Sequence, residues 1–120
     1  LMTEEAMCVS AVQGANDTEA DIIVVITESG EIARLLAKYR PKQTILALCM
    51  SSSVQRQLSI TRGVIPLKIP AFIDSNNLIS NAINYAIETG HVKKDGKIVC
   101  ITGMNENMPE NANILKIMTI

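Results

Sequence analysis

A chain of 120 residues suits a single domain with one core, and a hydrophobic content of 48% lets that core form without disulfide staples. The formal net charge of -1 argues against a nucleic-acid binder, which carries a basic excess. The longest early aliphatic run, Ile22 to Ile26, is far too short to span a bilayer. Phe72, Tyr39 and Tyr85 are the whole aromatic set, so the core must be aliphatic. Cys8, Cys49 and Cys100 are odd in number and widely spaced. They fit neither a disulfide framework nor a zinc site and read as reduced, buried thiols of a cytoplasmic protein. The opening residues, LMTEEAM, lack the basic and apolar segments of a signal peptide. A start at Leu1 suggests a piece of a longer protein.

Thr3, with Glu4 and Glu5 behind it, reads as a helix start; the helix passes Ala6, Val9 and Val12 and is expected to fray near Gly14 to Asp17. "DIIVVIT", 21 to 27, reads as a strand buried on both faces. Ile32, Leu35, Leu36 and Tyr39 form a helical stripe, which Pro41 ends by biasing Arg40 out of the helical region. "TILAL", 44 to 48, is the second strand. One of Ser51 to Ser53 caps a short helix reaching about Ile60. "RGVIPLKI", 62 to 69, is a shorter strand placed near an edge by Pro66. Asp74 or Ser75 caps the longest helix, whose stripe is Leu78, Ile79, Ala82, Ile83 and Ala86 and whose stop is Gly90. "KKDG", 93 to 96, is a turn, "KIVCIT", 97 to 102, a fourth strand, and "ILKIMTI", 114 to 120, a last one.

Alternating strands and helices predict an α/β fold: a three-layer α/β/α sandwich around a mostly parallel sheet of about five strands. The loop before the last strand has no room for a helical crossover, so that strand should pair antiparallel at the C-terminal edge. Such an edge invites pairing with a second copy.

The chain is poor in catalytic signals. His91 is its single histidine and reads as a solvated loop residue. Neither G-x-G-x-x-G nor G-x-x-x-x-G-K-[ST] occurs, no acidic cluster has metal-ligand spacing, and no nucleophile–base set can be assembled. A phosphocarrier would need Cys or His where Thr27 stands; a phospho-accepting receiver would need an Asp at the end of a central strand. No catalytic and no metal-binding residue is expected. What remains is the turn Thr27, Glu28, Ser29, Gly30, Glu31 and Ile32, between strand and helix, where N–H groups and two hydroxyls face outward and the helix dipole favours an anion. Ser29 serves equally as a plain N-cap and Gly30 as a plain turn residue, and acids suit a first helical turn.

"TESGEIARLLAKYRP", 27 to 41, followed by "RGVIP", 62 to 66, resembles the C-terminal domain of pyruvate kinase. The resemblance takes in Lys38-Tyr39-Arg40-Pro41, "INYAIETGHVKKDGKIVCITG", 83 to 103, and Asn113 to Ile117, and so extends over almost the whole chain. It implies a regulatory and oligomerisation domain, residues 1–120, cut from a glycolytic enzyme that turns phosphoenolpyruvate and ADP into pyruvate and ATP with Mg²⁺ and K⁺. The catalytic site would lie in a separate barrel domain, a partner of this one. By the same resemblance, turn 27–32 would grip an effector phosphate under a lid formed by 103–113, whose one glycine is Gly103 and where Asn105, Asn107 or Asn111 could bond sugar hydroxyls. Members that bind fructose 1,6-bisphosphate carry a hydroxyl or a base where Glu28, Glu31 and Ile32 stand, an arginine at the position matching Ala82, and a glycine-rich lid. These departures favour a sugar monophosphate. The other reading is an oligomerisation module with no small-molecule effector. A homo-oligomer, a dimer through the last strand within a tetramer of the parent, follows from both. No nucleic-acid or membrane partner is expected, and no cofactor within the fragment.

Overall fold

The structure, a computed structural model, describes residues 3–71, 75–93, 95–102 and 114–120. Nine elements follow one another: α1 (Thr3–Thr18), β1 (Ile22–Ile26), α2 (Glu31–Lys38), β2 (Thr44–Cys49), α3 (Ser52–Ser59), β3 (Val64–Lys68), α4 (Ser75–Glu88), β4 (Lys97–Thr102) and β5 (Ile114–Thr119). The strands form one sheet in the order β3-β2-β1-β4-β5. β1 pairs parallel with β2 and β4, β2 parallel with β3, and β4 antiparallel with β5. The expected α/β/α sandwich with an antiparallel C-terminal edge strand is therefore the observed one.

Alternation along the strands divides the core. Ile23, Val25, Ile45, Ala47, Val99 and Ile101 point to the face covered by α1, α2 and α3. Ile22, Val24, Ile26, Leu46, Leu48, Ile98 and Cys100 point to the face covered by α4. No residue of β1 is polar because both of its faces are covered and all five residues are buried. The chain winds outward from β1 through α2 and α3, then α4 carries it back over the opposite face to β4. Right-handed crossovers demand this change of face when the direction of winding reverses.

The first helix departs from expectation. It does not fray at Gly14 but continues to Thr18. The Gln13 side-chain amide donates to Asp17 at 2.9 Å and the Thr18 hydroxyl to the Gly14 carbonyl at 2.7 Å, which secures the last turn. Its buried stripe is small, Cys8, Ala11 and Ala15, and a Cβ on Gly14 would stand 3.3 Å from Ile117 Cδ1. Small residues let this helix lie close to β4 and β5.

The other boundaries have simple causes. Ser51 caps α3 by accepting from the N–H groups of Ser53 and Val54 at 3.1 and 3.3 Å. The α2 helix stops at Lys38, and Arg40, held before Pro41, turns left-handed at φ 47°. Pro66 lies in edge strand β3, where its missing N–H is tolerated. Gly90 leaves α4 at φ 79°, and the His91 N–H closes the helix on the Ala86 carbonyl at 2.9 Å. Asp74, one of the two expected caps of α4, lies outside the described residues. Among the described residues no helix is long and apolar enough to cross a membrane.

Candidate functional site

β1 and β4 are neighbours whose connections leave in opposite directions, so the crevice beyond their carboxyl ends is the sheet's topological switch point, where open α/β sheets bind ligands. The turn Thr27–Gly30 leaves β1 at that crevice, beside the end of β4 at Thr102. Gly103, Asn105, Asn107 and Asn111, expected to form the lid, lie outside the described residues.

The turn is tightly self-bonded. Thr27 is fully buried; its N–H donates to the Leu48 carbonyl at 2.9 Å, and its Oγ1 accepts from the Gly30 N–H at 2.9 Å. Ser29 is not the N-cap. Gly30 holds that position at φ 86°, and Ser29 Oγ instead accepts from the Glu31 N–H at 3.2 Å. A left-handed residue turns the chain from strand into helix within a single step, and glycine does this without a Cβ penalty. Space also demands glycine: a Cβ there would stand 2.9 Å from an Arg34 guanidinium nitrogen and 3.3 Å from side-chain carbons of Val54 and Leu58.

Ile32, assigned to the site from sequence, and Ala82, matched there to an arginine of other members, both point elsewhere. The Ile32 side chain is in the core at 1% exposure, so only its backbone faces the turn. Ala82 is fully buried between α4 and the sheet. An arginine there would be a charge in the core rather than a phosphate clamp, so the alanine carries no information about the pocket. Glu28, Ser29 and Glu31 are exposed, where both carboxylates can turn to solvent.

Sequence reasoning missed Arg34. Its guanidinium donates to the Ser29 carbonyl at 3.3 Å and so sets a cation at the turn. Its signal was available, since a residue at i+4 from Gly30 lies over the turn N-terminal to its own Cα. The helical ladder begins with the Arg34 N–H donating to the Gly30 carbonyl at 3.0 Å. The N–H groups of Ile32 and Ala33, inside the first turn, therefore have no carbonyl within α2 and supply the helix's anion-attracting end.

No exposed thiol is present among the described residues. The three thiols are buried. Burial, then the carboxylates of Glu5 and Glu4, pushes Cys8 up to about 11; burial, partly opposed by Lys116, pushes Cys100 up to about 12. Burial also raises Cys49. His91 is exposed and its Nδ1 lies 2.8 Å from the Thr89 hydroxyl. Among the described residues no group of three His, Cys, Asp or Glu could hold a metal ion.

Residues 5–118 match the family model of the pyruvate kinase alpha/beta domain. The chain is 39% identical over 118 residues to pyruvate kinase of Eimeria tenella, covering 98% of this chain and 22% of that protein. It is 34% identical over 116 residues to the Dictyostelium discoideum pyruvate kinase, covering 97% and 23%. Among solved structures it superposes on Cryptosporidium parvum pyruvate kinase in complex with ADP with a TM-score of 0.92 and 37% identity, covering 99% of this chain and 24% of that one. The chain thus spans less than a quarter of the length of these relatives.

Proposed function

The chain belongs to the pyruvate kinase alpha/beta-domain family, and from that premise we propose that it is a regulatory and assembly domain, residues 1–120, with an effector-phosphate turn at Thr27–Ile32 and a subunit contact along β5. The parent would be a cytoplasmic enzyme of glycolysis transferring phosphate from phosphoenolpyruvate to ADP. Its Mg²⁺, its K⁺ and its catalytic groups would belong to the barrel domain; the described residues here offer no comparable cluster.

The observation that carries this reading is the position of a glycine-capped helix N-terminus at the switch point between β1 and β4. Backbone N–H groups of Ile32 and Ala33 and the Ser29 hydroxyl are the groups offered to a phosphate. The macrodipole adds about 0.3–1 kcal/mol. Like charges about 5 Å apart cost on the order of 3 kcal/mol at an effective dielectric of 20. A carboxylate held against the phosphate would therefore abolish binding, whereas one turned outward is screened by water. Glu28 and Glu31 are both exposed, and Arg34 stands beside the turn. One phosphate fits that balance better than two, so the effector is a sugar monophosphate. Calorimetric titration with glucose 6-phosphate and fructose 1,6-bisphosphate is the test: the monophosphate binds more tightly, and tighter binding of the bisphosphate refutes the reading.

A second reading, an oligomerisation module without an effector, draws on the sheet edge at β5. Self-association with heat-silent titrations of both sugars would establish it.

A further inference from the structure

A cleft of about 700 Å³ opens at the other end of the sheet, among Arg34, Lys38, Arg40, Gln43, Thr61 and Arg62. Gln43 immediately precedes β2, and Gly63, which also borders the cleft, immediately precedes β3. The cleft therefore lies toward the amino ends of these strands, whereas the Thr27 turn leaves the carboxyl end of β1. Four of the residues around it are cationic and none is acidic, in a chain whose acids outnumber its bases by 12 to 11. Lys38 is partly neutralised by Glu5, 3.5 Å away, and Arg34 is engaged with the Ser29 carbonyl. Arg40 and Arg62 are exposed and have no ion pair among the described residues. Like charges gathered without counter-charge repel one another, and a bound anion relieves that repulsion.

Gln43 supplies an independent observation. It is 8% exposed, and its Nε2 donates to the Ala15 carbonyl at 3.2 Å. Its Oε1 is buried and accepts no hydrogen bond. Buried polar atoms are ordinarily paired, and an orphan on a residue that borders a cleft calls for a donor that reaches it when the side chain turns toward the opening. The cleft thus asks for two things of an occupant: negative charge for the guanidinium groups and a donor for the glutamine carbonyl.

We propose that this cleft binds a small hydroxylated phosphomonoester, its phosphate held by Arg40 and Arg62 and one hydroxyl donating to Gln43 Oε1, which a turn of that side chain brings to the cleft. Phosphate is preferred over carboxylate because it carries close to two charges at neutral pH and offers several oxygens to two guanidinium forks. The volume lies within the range of small-molecule sites. The proposal is independent of the effector turn, although Arg34 borders both regions.

Amide NMR of the isotope-labelled chain, titrated with glycerol 3-phosphate, inorganic phosphate and acetate, tests it. Glycerol 3-phosphate is expected to shift the amides of Arg40, Gln43, Arg62 and Gly63, to bind about tenfold more tightly than inorganic phosphate through the added hydrogen bond, and to weaken as salt is raised. Arg62→Gln weakens it about tenfold, and so does Arg40→Gly, a variant whose backbone adopts φ 47° freely. Gln43→Met removes the advantage over inorganic phosphate. Shifts confined to residues 27–33 would place the anion at the effector turn and overturn this inference while leaving the function proposed above intact. It is equally overturned if acetate binds as well as the phosphomonoester, if both arginine variants titrate like the parent, or if no amide responds.

Discussion

Gly30 concentrates more constraint than any other residue of the turn. Its φ of 86° lies where an L side chain costs roughly 1–2 kcal/mol. The neighbouring Arg34 tip can move aside, but Leu58 is buried in the core and Val54 packs against that core. Gly30→Ala should therefore lower unfolding stability by about 1–2 kcal/mol, read as a lower urea midpoint at unchanged slope. The thiols make a second residue-scale prediction. Cys8 and Cys100 titrate near 11 and 12 in the folded chain, above their ordinary value of 9.0, because burial disfavours the thiolate. A folded pKa raised above the unfolded one gives stability that is full below the unfolded pKa and is lost as pH rises towards the folded one. Stability should hold to about pH 9 and decline from there towards about pH 12, and iodoacetamide should leave the native thiols unmodified at about pH 8. Rapid alkylation under native conditions would show that they are not buried as described.

The element proposed to carry assembly is β5. It closes one edge of the sheet with its partner β4 on one side and no strand on the other. Lys116 and Thr119 are exposed on it, as is Ile117 at 45%. At the opposite edge, β3 carries Pro66, which blunts pairing. An isologous antiparallel pairing of two β5 strands would satisfy the open backbone groups across a two-fold axis. Sedimentation of the intact chain should show a dimer, and a truncation ending at Asn113 should lose it. A clean monomer at high concentration contradicts the proposed contact. The helix α2 spans the distance between two contacts. Its first turn presents N–H groups to the switch point, and its C-terminal neighbour Tyr39 donates to Glu5 of α1 at 2.6 Å. That bond, with Lys38 beside it, holds the Glu5 carboxyl below its ordinary range. The proposed effector turn thus lies at one end of a helix that is anchored to α1 at the other.

For the molecule as a whole, the two proposed anion sites lie toward opposite ends of one mostly parallel sheet, and among the described residues neither has a group of acids that could hold a metal ion. Phosphoryl transfer relies on positioned metal ions and cations around the moving phosphate. The purified 120-residue chain should accordingly show no turnover of phosphoenolpyruvate and ADP in a coupled lactate dehydrogenase assay; measurable turnover would refute its assignment as a purely regulatory domain.

Much of this architecture is legible in the residues themselves. A run such as Ile22 to Ile26, with no polar member, fits only a strand covered on both faces, and the stripes of α2 and α4 match the faces they bury. The absence of a crossover before β5 fixed its antiparallel pairing, and Pro66 its neighbour's place at an edge. These features are local: they follow from periodicity, turn chemistry and the length of connections. The strand order, the choice of Gly30 over Ser29 as cap, the contact of Arg34 with the Ser29 carbonyl and the burial of Ile32 and Ala82 were decided by tertiary packing. Each depends on the angle at which a helix leaves its strand, or on which side chains from distant segments share one volume. No window along the chain encodes that. The cleft among Arg40, Gln43 and Arg62 shows it most clearly, since its walls come from the ends of α2 and α3 and the starts of β2 and β3, which meet only in the folded sheet.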